Sequence, residues 1–156
     1  MSTIADYIGR TVDVSAFHGV KATGEVQLRQ ALAETESSGL VITGMQKLAQ
    51  RFVLEFLTDQ GSMKYLPARG GTFLANARAG SLRTEVDVFT SFELALGSIE
   101  NALLAEENST DPDDERYLFA ELTSVAFTPA HIKLYITLHS RAKTTRSIIL
   151  PISTLT

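Results

Sequence analysis

Apolar and polar residues alternate without a break in the C-terminal part of the chain, in the stretch His131-Ile-Lys-Leu-Tyr-Ile-Thr-Leu-His139. Neighbouring side chains of a β-strand point to opposite faces, so this pattern predicts a strand with its aliphatic residues on one side. Those residues are Ile132, Leu134, Ile136 and Leu138. A strand with one apolar face and one wetter face is typical of an antiparallel sheet.

Two further strands are predicted beside this one, at residues 116–127 and 146–152. The connections are short. Residues 128–130 (Thr-Pro-Ala) and residues 141–145 both have the composition of turns. The C-terminal part of the chain therefore predicts a small antiparallel sheet.

The clearest helix signal comes earlier, at residues 45–57, where apolar residues recur every three or four positions. They are Met45, Leu48, Ala49, Phe52, Val53, Phe56 and Leu57. Thr43 or Gly44 is the predicted N-cap, and Gly61 is the predicted stop. A second long helix is predicted over residues 84–107 and a short one over residues 72–77. Gly97, inside the long helix, indicates close packing at that point.

These elements predict the α+β class, with two main helices packed on a small antiparallel sheet formed largely by the C-terminal strands. Residues 1–40 are predicted to form an N-terminal extended arm, with a short strand at residues 11–17. Residues 41–156 are predicted to form the α+β domain.

Composition limits the functions that the chain can have. It has 156 residues, 44% of them apolar, and 14 basic against 18 acidic side chains give a net charge of −4. One globular domain is expected. Because the chain has no cysteine, disulfide scaffolds, thiol nucleophiles and Cys-ligated metal sites are excluded. The acidic balance argues against nucleic acid as a partner, and no apolar run predicts a membrane span. A cytoplasmic location is the default expectation.

A search for chemistry predicts no catalytic, cofactor-binding or metal-binding residues. His131 and His139 are about 26 Å apart along an extended strand, too far to share a metal, and His18 stands alone. The acidic loop at residues 106–115 lacks the Gly and Glu positions of a calcium-binding EF-hand. Within the predicted strands, Glu121 is the best candidate for a buried acid, although a strand residue facing solvent explains it equally well.

Charge is distributed unevenly along the chain. Residues 100–115 are acidic, whereas residues 62–83 and 131–156 are basic. Such blocks orient a molecule in an assembly, or they compensate each other within one fold. At the end of the acidic block, Glu115 and Arg116 are adjacent on a chain predicted to be extended, so their side chains point in opposite directions and require separate partners, in this chain or in another.

An ordered series of motifs resembles the small wedge-protein family of contractile-tail baseplates, whose members occur in myophages, R-type bacteriocins and type VI secretion systems and have also been labelled lysozyme-like. The series comprises Val41-Ile42-Thr43-Gly44, Leu48-Ala49-Gln50, Phe56-Leu57-Thr58, the pattern G-S-x-x-Y-x-P-x-x-G from Gly61 to Gly70, and Asp114-Glu115-Arg116, the family's D-E-R. With the long helix and the closing strands, the resemblance covers residues 41–152.

The resemblance implies a structural component of the tail baseplate in the virion, assembled in the host cytoplasm, in about six copies set by the symmetry of the tail. The implied partners are other baseplate wedge proteins and the tail sheath subunit, with tube or hub proteins as further candidates. Asp114, Glu115 and Arg116 would hold a neighbouring wedge protein. The terminal strand, with Arg146, Ser147, Ile148, Ile149 and Leu150, would accept a strand from the sheath subunit, and its last three residues would supply pockets.

Two other functions remain open from the sequence. The lysozyme-like label suggests a peptidoglycan hydrolase, which needs one carboxyl group in an apolar pocket and a second about 5–9.5 Å away. No such arrangement is recognisable in the sequence. A bacterial regulatory adaptor with the same fold is the third hypothesis.

Overall fold

The computed structural model describes residues 10–16 and 41–153. Most of the predicted arm, including the strand residue Phe17 and His18, lies outside the described residues. The elements in chain order are β1 (Asp13–Val14), β2 (Val41–Ile42), α1 (Gly44–Phe56), α2 (Phe73–Arg78), α3 (Glu85–Glu106), β3 (Tyr117–Phe127), β4 (His131–Ser140) and β5 (Thr145–Ser153). The predicted α+β class is confirmed.

Strands β3, β4 and β5 form an antiparallel sheet with β4 in the centre. In the register, Ile136 lies opposite Leu122 on one side and opposite Ile148 on the other. Two register shifts in β3 leave Leu118 and Thr123 without a partner in the register. The alternating aliphatic residues of β4 are at most 1% exposed, so they face the core as predicted.

The helices cover the aliphatic face of this sheet, and an aromatic cluster lies between them. The rings of Phe52 and Phe56 from α1 are 6.1 Å apart, and Phe56 lies 5.0 Å from Phe73 of α2 and 5.6 Å from Phe92 of α3. All four side chains are at most 1% exposed. Burying each of them contributes about 1.5–3 kcal/mol, so this cluster anchors the core.

A reciprocal pair of hydrogen bonds begins α3. The Asp87 N–H donates to Thr84 Oγ1 at 3.2 Å, and the Thr84 N–H donates to Asp87 Oδ2 at 2.9 Å. Bonds from the side chain and backbone of Thr84 lower the pKa of Asp87. This capping box explains why the helix begins where the sequence predicts.

Gly97 does not have the predicted role. It is exposed, and a Cβ placed on it would meet no atom within 4 Å. The prediction of close packing at Gly97 is therefore wrong within the described chain, because the glycine lies on the solvent side of α3.

Among the described residues one helix, α3, is long and apolar enough by length and composition to cross a membrane. Helices in the cores of globular proteins meet the same criterion, and 39% of the apolar window of α3 is buried within the fold. The sequence predicted no membrane span in α3, because Glu93 and Glu100 interrupt its apolar residues.

Candidate functional site

The predicted edge strand lies at an edge of the sheet. In the described part of the chain, β5 pairs with β4 on one side, and no further strand pairs with its other side. An edge strand carries backbone N–H and C=O groups that can accept a strand from another chain.

The hairpin bonds determine which groups of β5 point outward. The Thr128 N–H donates to the oxygen of His131 at 2.9 Å, so odd-numbered residues of β4 face β3. The Ser140 N–H donates to the oxygen of Thr144 at 3.0 Å, so even-numbered residues face β5. Since the register joins residues of equal parity, the backbone groups of Thr145, Ser147 and Ile149 point away from β4.

Pro151 limits this edge. It also has odd parity and lies opposite Lys133. A proline has no N–H, and sheets tolerate it where that missing donor would face outward, on an edge strand. The donors available to an incoming strand are therefore concentrated before Pro151, in the first half of β5.

The side chains of β5 divide between the two faces of the sheet. Ile148 and Leu150 are each 1% exposed and fill the core of this chain. Neither side chain is exposed to a partner in the described fold, where pockets for a partner were expected. Ile149 is half-buried and Ser147 is exposed, both on the opposite face, and Arg146 is half-buried at the start of the strand.

The turn that contains Asp114, Glu115 and Arg116 enters the other edge strand, β3. Glu115 is only 2% exposed. Its carboxylate accepts hydrogen bonds from the Gly44 N–H at 3.0 Å and from Lys47 Nζ at 2.9 Å. The first N–H of α1 thus bonds to a carboxylate, which is favourable at the positive end of a helix dipole. The backbone at Thr43 is extended, but its side chain makes no cap hydrogen bond.

Asp114 binds the described part of the N-terminal arm. Its carboxylate accepts two hydrogen bonds from Arg10 NH1, at 2.9 and 2.8 Å, and these bonds raise the pKa of Arg10. Gln50 of α1 fixes the same segment, because its amide donates to the oxygen of Val14 at 2.9 Å and accepts from the Ala16 N–H at 2.7 Å. Residues 10–16 are therefore fastened to α1 and to the turn before β3.

Arg116 has partners other than those of Glu115, as predicted, although the two residues lie in a turn and not in the extended chain that was expected. Its Nε lies 3.6 Å from Glu107 Oε2, and its NH1 lies 3.5 Å from Asp113. Glu107 also pairs with Arg141 at 3.6 Å and accepts from the Tyr117 N–H. The Arg116 Nε is buried without a hydrogen-bond partner. Both charged residues thus find partners in this chain, and Arg116, whose side chain is 22% exposed, is held by the longer contacts.

The structure places the two predicted interaction regions at the same end of the sheet. The Arg141 N–H, in the turn between β4 and β5, donates to the oxygen of Arg116 at 3.0 Å. Two interstrand spacings, about 10 Å, separate the beginning of β3 from the beginning of β5. Arg116 and the beginning of β5 therefore lie at the same end of the sheet, beside its two opposite edge strands.

The opposed charge blocks meet within the fold at several points. Arg69 of the first basic block pairs with Glu106, and Arg141 of the second lies 3.6 Å from Glu107. Part of the predicted complementarity is therefore satisfied inside this chain, which agrees with the second of the two interpretations.

Glu121 does not occupy an apolar pocket. Its side chain is 54% exposed, and its carboxylate lies 3.2 Å from the Nε2 of His139, whose ring stacks on Phe119 at 3.9 Å. Of its two predicted environments, the solvent-facing one is confirmed. In residues 10–16 and 41–153 no three His, Cys, Asp or Glu side chains are grouped so as to hold a metal ion.

Three residues that bind this region had no predicted role in it, namely Arg10, Lys47 and Gln50. Lys47 and Gln50 lie off the apolar stripe of α1, and solvent-facing side chains have the same pattern. Their contacts with Glu115 and Val14 span 68 and 36 residues. The periodicity of a local sequence gives no information about contacts between residues so far apart in the chain.

Comparison with known proteins identifies no relative: no family model, no curated protein and no solved structure matches this chain. The resemblance to the baseplate wedge family thus rests on the motifs in the sequence and stays a prediction.

Proposed function

We propose that this protein is a structural component of a contractile-tail baseplate wedge, which joins the wedge core to the first ring of sheath subunits. Attachment would proceed by the addition of a sheath strand to β5 and by charged contacts at Arg116. The observation that carries the proposal is the open edge of β5, where Thr145, Ser147 and Ile149 direct backbone groups away from the sheet. Main-chain hydrogen bonds supply the affinity in this mode of recognition.

The position of Pro151 indicates which part of β5 an added strand would bind. Because Pro151 interrupts the row of donors, an added strand would be held mainly beside residues 145–149. That half of β5 lies at the same end of the sheet as Arg116. A sheath strand and a wedge partner would therefore meet this protein at one end of the sheet, on its two opposite edges, as expected of a part that links two layers of an assembly.

Replacing Ile149 by proline tests the edge. The substitution removes an outward N–H and leaves the hydrogen bonds to β4 in place, so the isolated protein should stay folded. Sheath attachment should fail, since the new proline cannot donate to an added strand. The measurement is the number of sheathed tails, counted by electron microscopy, when the variant replaces the original protein during tail assembly.

The matched control is Ile149→Thr, which also shortens the side chain but keeps both the β-branch and the N–H. It should support sheath attachment. Sheathed tails in normal numbers with Ile149→Pro would show that the sheath does not attach along this edge.

Replacing Arg116 by alanine tests the charged contact. Glu107 keeps Arg141 and the Tyr117 N–H as partners, and a partly exposed ion pair contributes only about 0–1 kcal/mol. The variant should therefore unfold at nearly the original urea concentration, yet wedge assembly should stop. Wedges are detected by co-purification with the other wedge proteins. Normal wedges from Arg116→Ala would rule out a role for this side chain in binding a partner.

A further inference from the structure

The outer face of α3 is unusually poor in charge for a helix surface in contact with water. Between residues 90 and 104 its exposed residues are Thr90, Glu93, Leu94, Gly97, Asn101 and Leu104. Leu94 is 72% exposed and Leu104 is 44% exposed, and Val86 extends the face by one turn at 73%. A surface helix normally carries charged residues on this side, and a helix that is apolar all round is normally buried.

The spacing along this face fits a partner helix. Thr90, Leu94, Gly97, Asn101 and Leu104 follow one another at intervals of four, three, four and three residues, which is the repeat of a coiled-coil seam. Gly97 has open space at its Cβ position, so a neighbouring backbone can approach closely there. Asn101 is a polar residue within the seam, a feature that fixes the register of helix pairs.

The acidic charge of α3 indicates which kind of helix could bind to this face. No basic residue lies between Glu85 and Glu106. Asp87 is used in the capping box and Glu106 pairs with Arg51 and Arg69. Acidic charge beside the seam comes from exposed Glu93 and from Glu100, which also accepts from the Tyr117 hydroxyl at 2.7 Å. Two copies of α3 packed together would bring like charges into contact, and an anionic membrane surface would be repelled for the same reason. We propose that the outer face of α3 is a docking surface for a basic amphipathic helix of another protein, with an apolar heptad stripe bordered by Lys or Arg. This inference stands independently of the sheath-binding proposal, because it uses neither β5 nor Arg116.

The test measures binding of a synthetic peptide of about four heptads, with Leu at the a and d positions and Lys at the e and g positions, by fluorescence anisotropy. The full chain should bind it, and Leu94→Ser should weaken binding at least about tenfold. Leu94 is 72% exposed, so its loss should leave the fold intact. Leu118→Ser, at a side chain that is 49% exposed on β3, is the matched control and should leave the affinity unchanged.

Gly97→Ala distinguishes an effect on docking from an effect on folding, because it should raise Tm and lower the affinity for the peptide. Alanine has a higher helix propensity than glycine, and the fold has room for the methyl group, so Tm should rise. The same methyl group lies in the seam and should lower the affinity for the peptide. An increase in Tm with unchanged affinity would show that the peptide does not pack along Gly97.

Other outcomes would overturn the proposal. These are equal affinity for a peptide with Glu at e and g, retained binding by Leu94→Ser, or no binding at all. Dimerisation that Leu94→Ser abolishes would assign the face to a second copy, and binding to phosphatidylcholine–phosphatidylglycerol vesicles would assign it to a membrane. Since the chain has no cysteine, slow maleimide labelling of Leu94→Cys relative to exposed Ser109→Cys would show that the chain covers this face itself.

Discussion

Replacing Gly70 by alanine should lower the free energy of unfolding by about 2–5 kcal/mol. Gly70 has a φ of +83°, and a Cβ at this position would lie 2.2 Å from the carbonyl oxygen of Thr58. That oxygen cannot move away cheaply, because it accepts the Gly71 N–H at 2.9 Å. Gly70 also binds α3 through Ser98, whose hydroxyl donates to its oxygen at 2.7 Å. The measurement is urea denaturation followed by circular dichroism.

The chain offers a matched control for this variant. Gly61 has the same φ of +83°, but a Cβ there would meet no atom within 4 Å. Gly61→Ala therefore reports the conformational cost alone, about 1–2 kcal/mol, and the difference between the two variants reports the clash with Thr58. Equal destabilisation by both variants would contradict the close approach at Gly70.

Glu115→Ala should destabilise the isolated protein by about 3 kcal/mol, at the low end of the range for breaking a buried ion pair. The substitution removes the acceptor of the Gly44 N–H and the partner of Lys47. The low end is expected because the Lys47 side chain is 15% exposed and can turn toward water. The measurement is again urea denaturation of the purified protein, with no partner present.

Two further variants should lower the free energy of unfolding by smaller amounts. Glu115→Gln keeps an acceptor for Gly44 but loses the charge, so it should cost about 1–2 kcal/mol. Asp114→Asn weakens a pair whose members are 30% and 26% exposed, and should cost about 0–1 kcal/mol. Full stability of Glu115→Ala would mean that this carboxylate does not stabilise the fold and is free to bind a partner, as the family resemblance implies.

The sheet and the helices were predictable because each is encoded by a short repeat. The alternation from His131 to His139 placed β4 correctly, and the stripe from Met45 to Leu57 placed α1. Both patterns report burial on one face, which is the property that the core uses. The ends of the three helices and of β3, β4 and β5 differ from prediction by at most one residue. In β1 the difference is larger, because two residues, Asp13–Val14, pair with β2 in place of the longer predicted strand.

The site was less predictable because its contacts join distant parts of the chain. Glu115 and Arg116 were recognised as a pair needing separate partners, and the structure supplies those partners from α1 and from the segment after α3. The burial of Gln50, which is 5% exposed, depends on the segment at residues 10–16, and no property of α1 reports that segment. Gly97 shows the opposite failure, because helix propensity cannot distinguish a tightly packed glycine from an exposed one.

Arg10 and Asp114, which are joined by hydrogen bonds, are 104 residues apart in the sequence. A ribosome adds about 5–20 residues per second, so Arg10 leaves the exit tunnel about 5–20 s before the carboxylate that will hold it. During that interval β2 and Gln50, which also hold the segment at residues 10–16, are already part of the chain. The hydrogen bonds from Arg10 to Asp114 can therefore form only after the contacts of this segment with β2 and α1 have become possible.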